Sequence, residues 1–167
     1  EEAEEDILKL GGVSESDTLR PLGSTIKKRQ PWLLANLVTA ILAASVIAQF
    51  EASIEAIVAL AVLMPIVASM GGNCGSQTLT IMVRGLATGE VTGANAWRVL
   101  KKELVVGLAH GTTFLVVGAL VAFVWFGYPE LAVVFGLALF VTLAFSAFVG
   151  VLIPLALQRL KIDPAVA

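Results

Sequence analysis

Four stretches of this sequence carry no charged side chain: residues 30–50, 56–83, 104–129 and 131–158, which are 21, 28, 26 and 28 residues long. A bilayer hydrocarbon core about 30 Å thick is crossed by about 20 predominantly apolar helical residues. At that depth no water satisfies backbone N–H and C=O groups, so each stretch must bond internally as a helix. The expected fold is therefore all-α: a polytopic membrane helical bundle with four transmembrane helices, over about residues 31–50, 56–83, 104–127 and 131–157. The second and fourth exceed a minimal span and are expected to tilt or to project beyond the membrane. Composition agrees, with 57% hydrophobic and 14% charged residues where a soluble domain carries roughly 25% charged. That excludes a soluble enzyme, a disordered tail and a disulfide-stapled secreted module. The single cysteine, Cys74, has no intrachain partner to bridge.

Orientation follows the distribution of Lys and Arg. Lys27, Lys28 and Arg29 precede the first stretch; Arg84, Arg98, Lys101 and Lys102 lie between the second and third; Arg159 and Lys161 come after the fourth. With Lys9 and Arg20, all eleven basic residues fall on one side. The other side has two short turns, Glu51–Glu55 and Gly127–Glu130, with three acids and no base. Both termini are expected in the cytoplasm and the protein in the cell membrane. Trp32, Trp125 and Tyr128 read as interfacial aromatics, and Trp97 as part of the basic loop.

The head of the chain differs in character. Residues 1–17 hold seven acids against Lys9, and Glu1, Glu2, Glu4, Glu5 and Asp6 crowd into six positions. Residues 1–12 read as the end of an acidic helix stopped at Gly11-Gly12, residues 13–29 as a linker with a basic juxtamembrane segment, and residues 30–167 as the transmembrane domain. The chain has no initiator Met, so it reads as a fragment of a longer protein. Like charges on one helix repel. Divalent cations shared with a facing acidic surface would relieve that repulsion; the plainer reading is a solvated charged helix.

The second stretch is the one whose composition demands a reason. Met64-Pro65-Ile66-Val67-Ala68-Ser69-Met70-Gly71-Gly72-Asn73-Cys74-Gly75-Ser76-Gln77-Thr78 places a proline, three glycines and two amides at membrane depth. Pro65 leaves the Ala61 carbonyl without its helical donor, and glycines permit close backbone approach. Ser69, Asn73, Ser76, Gln77, Thr80 and Arg84 fall on one helical face, a polar stripe unsuited to lipid. The opposite face, with Ile66, Met70, Leu79, Ile81 and Val83, is expected to meet lipid. Two readings of the stripe stay open. It either joins helices through hydrogen bonds, or it lines a cation path in which carbonyl and amide oxygens contact the ion's water shell.

These residues, read in order, resemble a known family. Phe50-Glu51-x-x-x-Glu55, Pro65, Gly71-Gly72-Asn73-x-Gly75-x-Gln77, Arg84-Gly85-Leu86-Ala87, Lys102-Glu103-x-x-x-Gly107 and Pro154-(x)8-Asp163-Pro164-Ala165 look like the membrane domain of the MgtE magnesium transporters. The resemblance runs along essentially the whole chain. It implies a homodimeric, gated, channel-like path for Mg²⁺ along the dimer axis, regulated by cytoplasmic Mg²⁺, with Mg²⁺ both cargo and regulatory ion. Carried over by position, Pro65, Ser69, Gly71, Gly72, Asn73, Gly75, Ser76, Gln77 and Thr80 would line the pore. Glu51 and Glu55 would meet the metal ion at its outer mouth and Glu103 near its inner side. Asp163 would either contact a divalent ion at the cytoplasmic face or simply initiate a turn, and residues 1–6 would belong to a regulatory plug helix. The family pattern also has a fifth membrane helix and cytoplasmic sensor domains outside these residues, so partners would be a second copy, lipid, divalent cations and those sensor domains, with no nucleic acid.

Mg²⁺ holds its octahedral water shell tightly, so a path that admits it hydrated fits oxygen dipoles better than a stripping site. The reading is gated Mg²⁺ transport with no covalent chemistry and no enzyme activity. The alternative is a membrane-embedded assembly subunit whose polar helix face packs on a partner. Among the remaining residues, His110 reads either as an intramembrane ligand or proton carrier or, the better reading of a lone histidine, as a helix-packing or hydrogen-bonded residue. Asn36 either faces the pore or, the favoured reading, pairs with a neighbour, and Cys74 reads as a small packing residue rather than a redox site. Gly107, Gly111 and Gly118 share a close-packing face. Arg84 would either repel cations at the pore exit or neutralise lipid phosphate.

Overall fold

The computed structural model describes residues 8–13 and 21–163. Among the described residues, five helices follow the first helical turn: α1 Leu22–Ala48, α2 Glu51–Ala56, α3 Ala59–Ala87, α4 Ala96–Phe126 and α5 Pro129–Arg159. Among the described residues there is no strand. Four of the helices, α1, α3, α4 and α5, are long and apolar enough to cross a membrane. The fold is thus the expected polytopic helical bundle. At 1.5 Å per residue, α3 with 29 residues and α5 with 31 reach about 44 and 46 Å, so both outrun the hydrocarbon core.

Helix ends differ from the apolar boundaries for a physical reason. Hydropathy locates where a chain leaves lipid, whereas a helix continues until its backbone is stopped. The third spanning helix begins at Ala96, so Trp97, Arg98, Lys101 and Lys102 form its first turns and Trp97 is not in a loop. Only Thr88–Asn95 links α3 to α4. Asn95 organises that link: the Thr92 N–H donates to Asn95 Oδ1 at 2.8 Å and Asn95 Nδ2 donates to the Glu90 carbonyl at 2.8 Å. Likewise Glu51 and Glu55 lie on a helix, the short α2, rather than in a plain turn.

The α4–α5 hairpin is sharper still. Gly127, at φ 75°, closes α4 in the left-handed conformation and its N–H bonds the Phe123 carbonyl at 2.8 Å. A residue with a Cβ would be strained there. Pro129 then opens α5 at a position that needs no N–H. With two residues between them, α4 and α5 must run antiparallel.

Lipid tails are as apolar as leucine, so membrane helices associate through close packing and interhelical hydrogen bonds. The small residues supply that packing. A Cβ on Gly107 would lie 2.6 Å from Ala147 Cβ, one on Gly111 would lie 2.9 Å from the Phe140 carbonyl oxygen, and one on Gly136 would lie 2.6 Å from the Leu115 carbonyl oxygen. Gly118 meets Leu139 on the same face, so the glycine spacing marks the α4–α5 seam as expected. On its other side α5 packs parallel to α3: Gly71 faces Thr142, Gly75 faces Ser146 and Gly150 faces Thr78. Helix α5 therefore sits between α3 and α4 and buries residues from Leu131 to Pro154.

The core lies along α5 in three groups. Leu63, Ala122, Phe135 and Leu139 pack at the α2 end, Cys74 with Leu143 and Ala147 at mid-depth, and Met82 with Val91 and Val151 at the other end. This corrects one expectation. Val83 is 1% exposed, and Ile66 and Met70 pack against the first group, so most of the face opposite the polar stripe meets protein; Ile81 alone of those residues is more than half exposed. Helix α1 behaves differently, burying none of its residues.

Candidate functional site

Helix α3 is unbroken through Pro65 and Gly71-Gly72. The glycines keep helical geometry, so the backbone is not opened as a chain of free carbonyls; the Ala61 carbonyl facing Pro65 is the one deprived of its donor by covalent structure. What α3 offers is a two-sided surface. Leu63, Gly71, Cys74, Thr78, Met82 and Val83 are buried. Ser69, Gly72, Asn73, Ser76 and Gln77 are exposed, together with Pro65.

The expected pore-lining residues thus separate into two sets. Asn73, Ser76, Gln77 and Thr80 come together around one open depression of about 600 Å³. Thr80 is half-buried and its hydroxyl donates to the Ser76 carbonyl at 2.8 Å, leaving the Ser76 hydroxyl and the two amides to face outward. Ser69 and Gly72 extend the same exposed side, and a Cβ on Gly72 would meet no atom within 4 Å. Gly71 belongs elsewhere: a Cβ there would lie 2.5 Å from Thr142 Cγ2 and 3.3 Å from Ser146 Oγ. Neighbouring glycines therefore serve opposite ends, Gly71 the α5 contact and Gly72 the open face. Gly75 is intermediate, 3.8 Å from Ser146 Cβ.

A second depression of about 330 Å³ adjoins this face between α3 and α5, bordered by Gly72, Gly75, Ser76, Ser146 and Gly150. Ser146 is a wall residue that the motifs of α3 do not reveal. Its signal is Thr142-x-x-x-Ser146-x-x-x-Gly150, a spacing of four that matches Gly71-x-x-x-Gly75 on the parallel helix. The signal is faint because the surrounding span has no Asn or Gly-Gly, and its one internal proline, Pro154, lies two turns away.

The acidic residues do not converge. Glu51 and Glu55 are exposed one turn apart on α2 and border a depression of about 340 Å³ beside Ala44 and Ala48 of α1. Glu103 is on α4, 5% exposed, and its Oε1 is 4.0 Å from Lys102 Nζ. Asp163 lies just beyond α5 and its carboxylate accepts from Lys9 Nζ at 3.3 Å. Among the described residues no group of three or more His, Cys, Asp or Glu could hold a metal ion.

Glu1, Glu2, Glu4, Glu5 and Asp6 lie outside the described residues. The helical turn at Leu8–Leu10 stops where the glycines predict. The Val13 N–H bonds the Leu8 carbonyl at 3.2 Å and the Gly12 N–H bonds the Lys9 carbonyl at 2.8 Å, the paired bonds of a glycine helix stop. Gly12 has φ 67° and its α-carbon abuts the Trp32 indole; a Cβ there would lie 2.5 Å from the indole Cγ. The segment from Leu8 to Val13 thus touches α1 through Trp32 and the end of α5 through Asp163.

Several other polar residues have local roles. Cys74 is buried and its thiol donates to the Leu143 carbonyl at 3.6 Å, consistent with a packing role. His110 and Asn36 are exposed on α4 and α1, so neither is packed between helices within the protomer. Thr112 and Thr113 bond back to the carbonyls of Leu108 and Ala109. Arg84 is exposed at the end of the stripe.

Comparison with known proteins gives this arrangement its context. Residues 64–167 match the MgtE family, described as divalent cation transporter. The chain is 37% identical over 169 residues to the magnesium transporter MgtE of Thermus thermophilus, an alignment spanning 98% of the chain and 37% of that protein. It is 34% identical over 167 residues to the magnesium transporter MgtE of Bacillus subtilis, spanning 99% of the chain and 37% of the relative. The magnesium transporter MgtE of Enterococcus faecalis is 30% identical over 167 residues, with 100% of the chain and again 37% of the relative covered. The chain accordingly spans just over a third of the length of these relatives. That family transports ions and performs no enzymatic reaction. A multi-pass helical chain whose matched segment begins at Met64, just ahead of its proline, and includes its glycines and its polar face belongs to the MgtE family of divalent cation transporters.

Proposed function

We propose that this chain is part of the membrane domain of a magnesium transporter, and that Mg²⁺ passes along the exposed polar face of α3. The observation that carries this reading is the division of α3. One side is sealed against α5, while Ser69, Asn73, Ser76 and Gln77 remain uncovered on the other. Neutral oxygens from amides and hydroxyls contact the waters of a hydrated cation and release it readily. A single protomer supplies one wall, and a second copy facing it supplies the other, so the path lies at a homodimer interface.

The ends of the wall fit passage of a cation. Glu51 and Glu55 would raise the local cation concentration at the outer mouth, and the basic ends of α3, α4 and α5 would face the cytoplasm of the cell membrane. Gating fits the Leu8–Val13 segment. The acidic residues ahead of it would hold the closed arrangement when cytoplasmic Mg²⁺ screens their repulsion, and Lys9 with Asp163 would anchor it.

Mg²⁺ uptake into proteoliposomes holding the full-length protein tests this reading. Wild type is expected to show saturable uptake that Ca²⁺ competes with poorly, and Asn73→Ala is expected to lower it about tenfold, a rise of about 1.4 kcal/mol in the barrier to passage. Weakened dimerisation in Asn73→Ala with unchanged uptake per dimer would favour the assembly-subunit reading instead.

A further inference from the structure

A second surface feature lies away from the α3 face, where α4 begins and α5 ends. Trp97 and Leu100 from α4 and Leu152, Leu155, Ala156 and Arg159 from α5 enclose an open cleft of about 540 Å³. Its floor is aliphatic, and among the described residues Arg159 is the one charged residue that lines it. Lys101, one turn above Trp97, places its Nζ 5.3 Å from the centre of the indole ring. Among the described residues no Asp or Glu lines the cleft, and Arg159 forms no ion pair with any of them. Trp97 is 66% exposed and Leu152 44% exposed, so the cleft is open to its surroundings.

We propose that this cleft binds an anionic phospholipid, with Arg159 and Lys101 holding its phosphate and one acyl chain lying over Leu152, Leu155 and Ala156. The inference needs only that the chain spans a membrane. The cleft lies where α4 and α5 leave the apolar core, because the basic residues gather there and Trp97 is a side chain that settles at headgroup depth. A guanidinium binds a phosphate by paired N–H donors and an ammonium adds a point charge. Basic pockets between membrane helices on the positive side recognise acidic headgroups in this way. The aliphatic floor distinguishes a lipid from free phosphate, which would gain nothing from Leu152 or Leu155. Charge complementarity likewise favours the lipid over an apolar helix, which would leave Arg159 and Lys101 uncompensated.

The test is native mass spectrometry of the full-length protein in detergent, titrated with phosphatidylglycerol or with phosphatidylcholine of the same chains. Wild type is expected to retain phosphatidylglycerol selectively. Arg159→Gln and Lys101→Gln are each expected to weaken retention about fivefold, the effect of one basic residue near an acidic headgroup, while Lys27→Gln, an equal charge loss on α1, leaves it unchanged. Using two variants guards against a folding failure in one. Equal retention of both lipids would overturn the proposal. So would equal losses in Lys27→Gln and Arg159→Gln, or displacement of the lipid by millimolar inorganic phosphate.

Discussion

Gly71 and Gly72 show how much a single residue's surroundings decide. Both are α3 glycines adjacent in sequence, yet a methyl group on Gly71 would collide with Thr142 whereas one on Gly72 would enter open space. Gly71→Ala is therefore expected to loosen the α3–α5 contact, an overpacking cost of about 1–3 kcal/mol, read as a lower melting temperature in detergent. Gly72→Ala is expected to leave the melting temperature in place and to lower Mg²⁺ uptake, because its methyl projects into the proposed path. Reversal of that pattern would show that the open side of α3 has been assigned wrongly. Gly111→Ala is expected to be costlier than Gly118→Ala. The first meets the Phe140 backbone oxygen, which cannot yield, and the second meets the end of a flexible leucine.

At the scale of the elements, the spans are legible in the sequence because an uncharged run of this length has few alternatives in water or in lipid. The polar stripe is legible too, because Ser69, Asn73, Ser76 and Gln77 share a face by helical spacing alone. What covers the other faces is not, since Val83 and Ile81 are chemically alike yet Val83 is sealed and Ile81 open. Only the neighbouring helix distinguishes them. The start of α4 escapes hydropathy for a related reason. Arg98, Lys101 and Lys102 end an apolar run but are good helix formers, so the helix continues through them to Ala96. Ser146 escapes notice because serine in a membrane helix commonly bonds its own backbone and marks nothing. Ser146→Leu is expected to fill the depression of about 330 Å³ and to reduce Mg²⁺ uptake in proteoliposomes, with some loss of melting temperature because the longer side chain crowds Gly71 and Gly75.

The whole molecule divides into a packed unit, α3–α5–α4, and α1, which buries none of its own residues. The basic and acidic ends of the bundle predict its orientation. Cys74 is buried and is the sole cysteine, so introduced cysteines report without background from this chain. Ser53→Cys on α2 is expected to react with a membrane-impermeant maleimide on intact cells, and Gly93→Cys only after permeabilisation; the opposite pattern would invert the topology and with it the proposed direction of uptake. The most direct test of the central claim is modification of Asn73→Cys in the full-length protein by a charged, hydrophilic thiol reagent during Mg²⁺ flux. If the exposed face of α3 is the wall of the path, the reagent reaches position 73, modification blocks flux, and Mg²⁺ slows the reaction. An Asn73→Cys protein that transports Mg²⁺ while its thiol stays inert to the hydrophilic reagent would place that face against lipid or a partner helix and contradict the account.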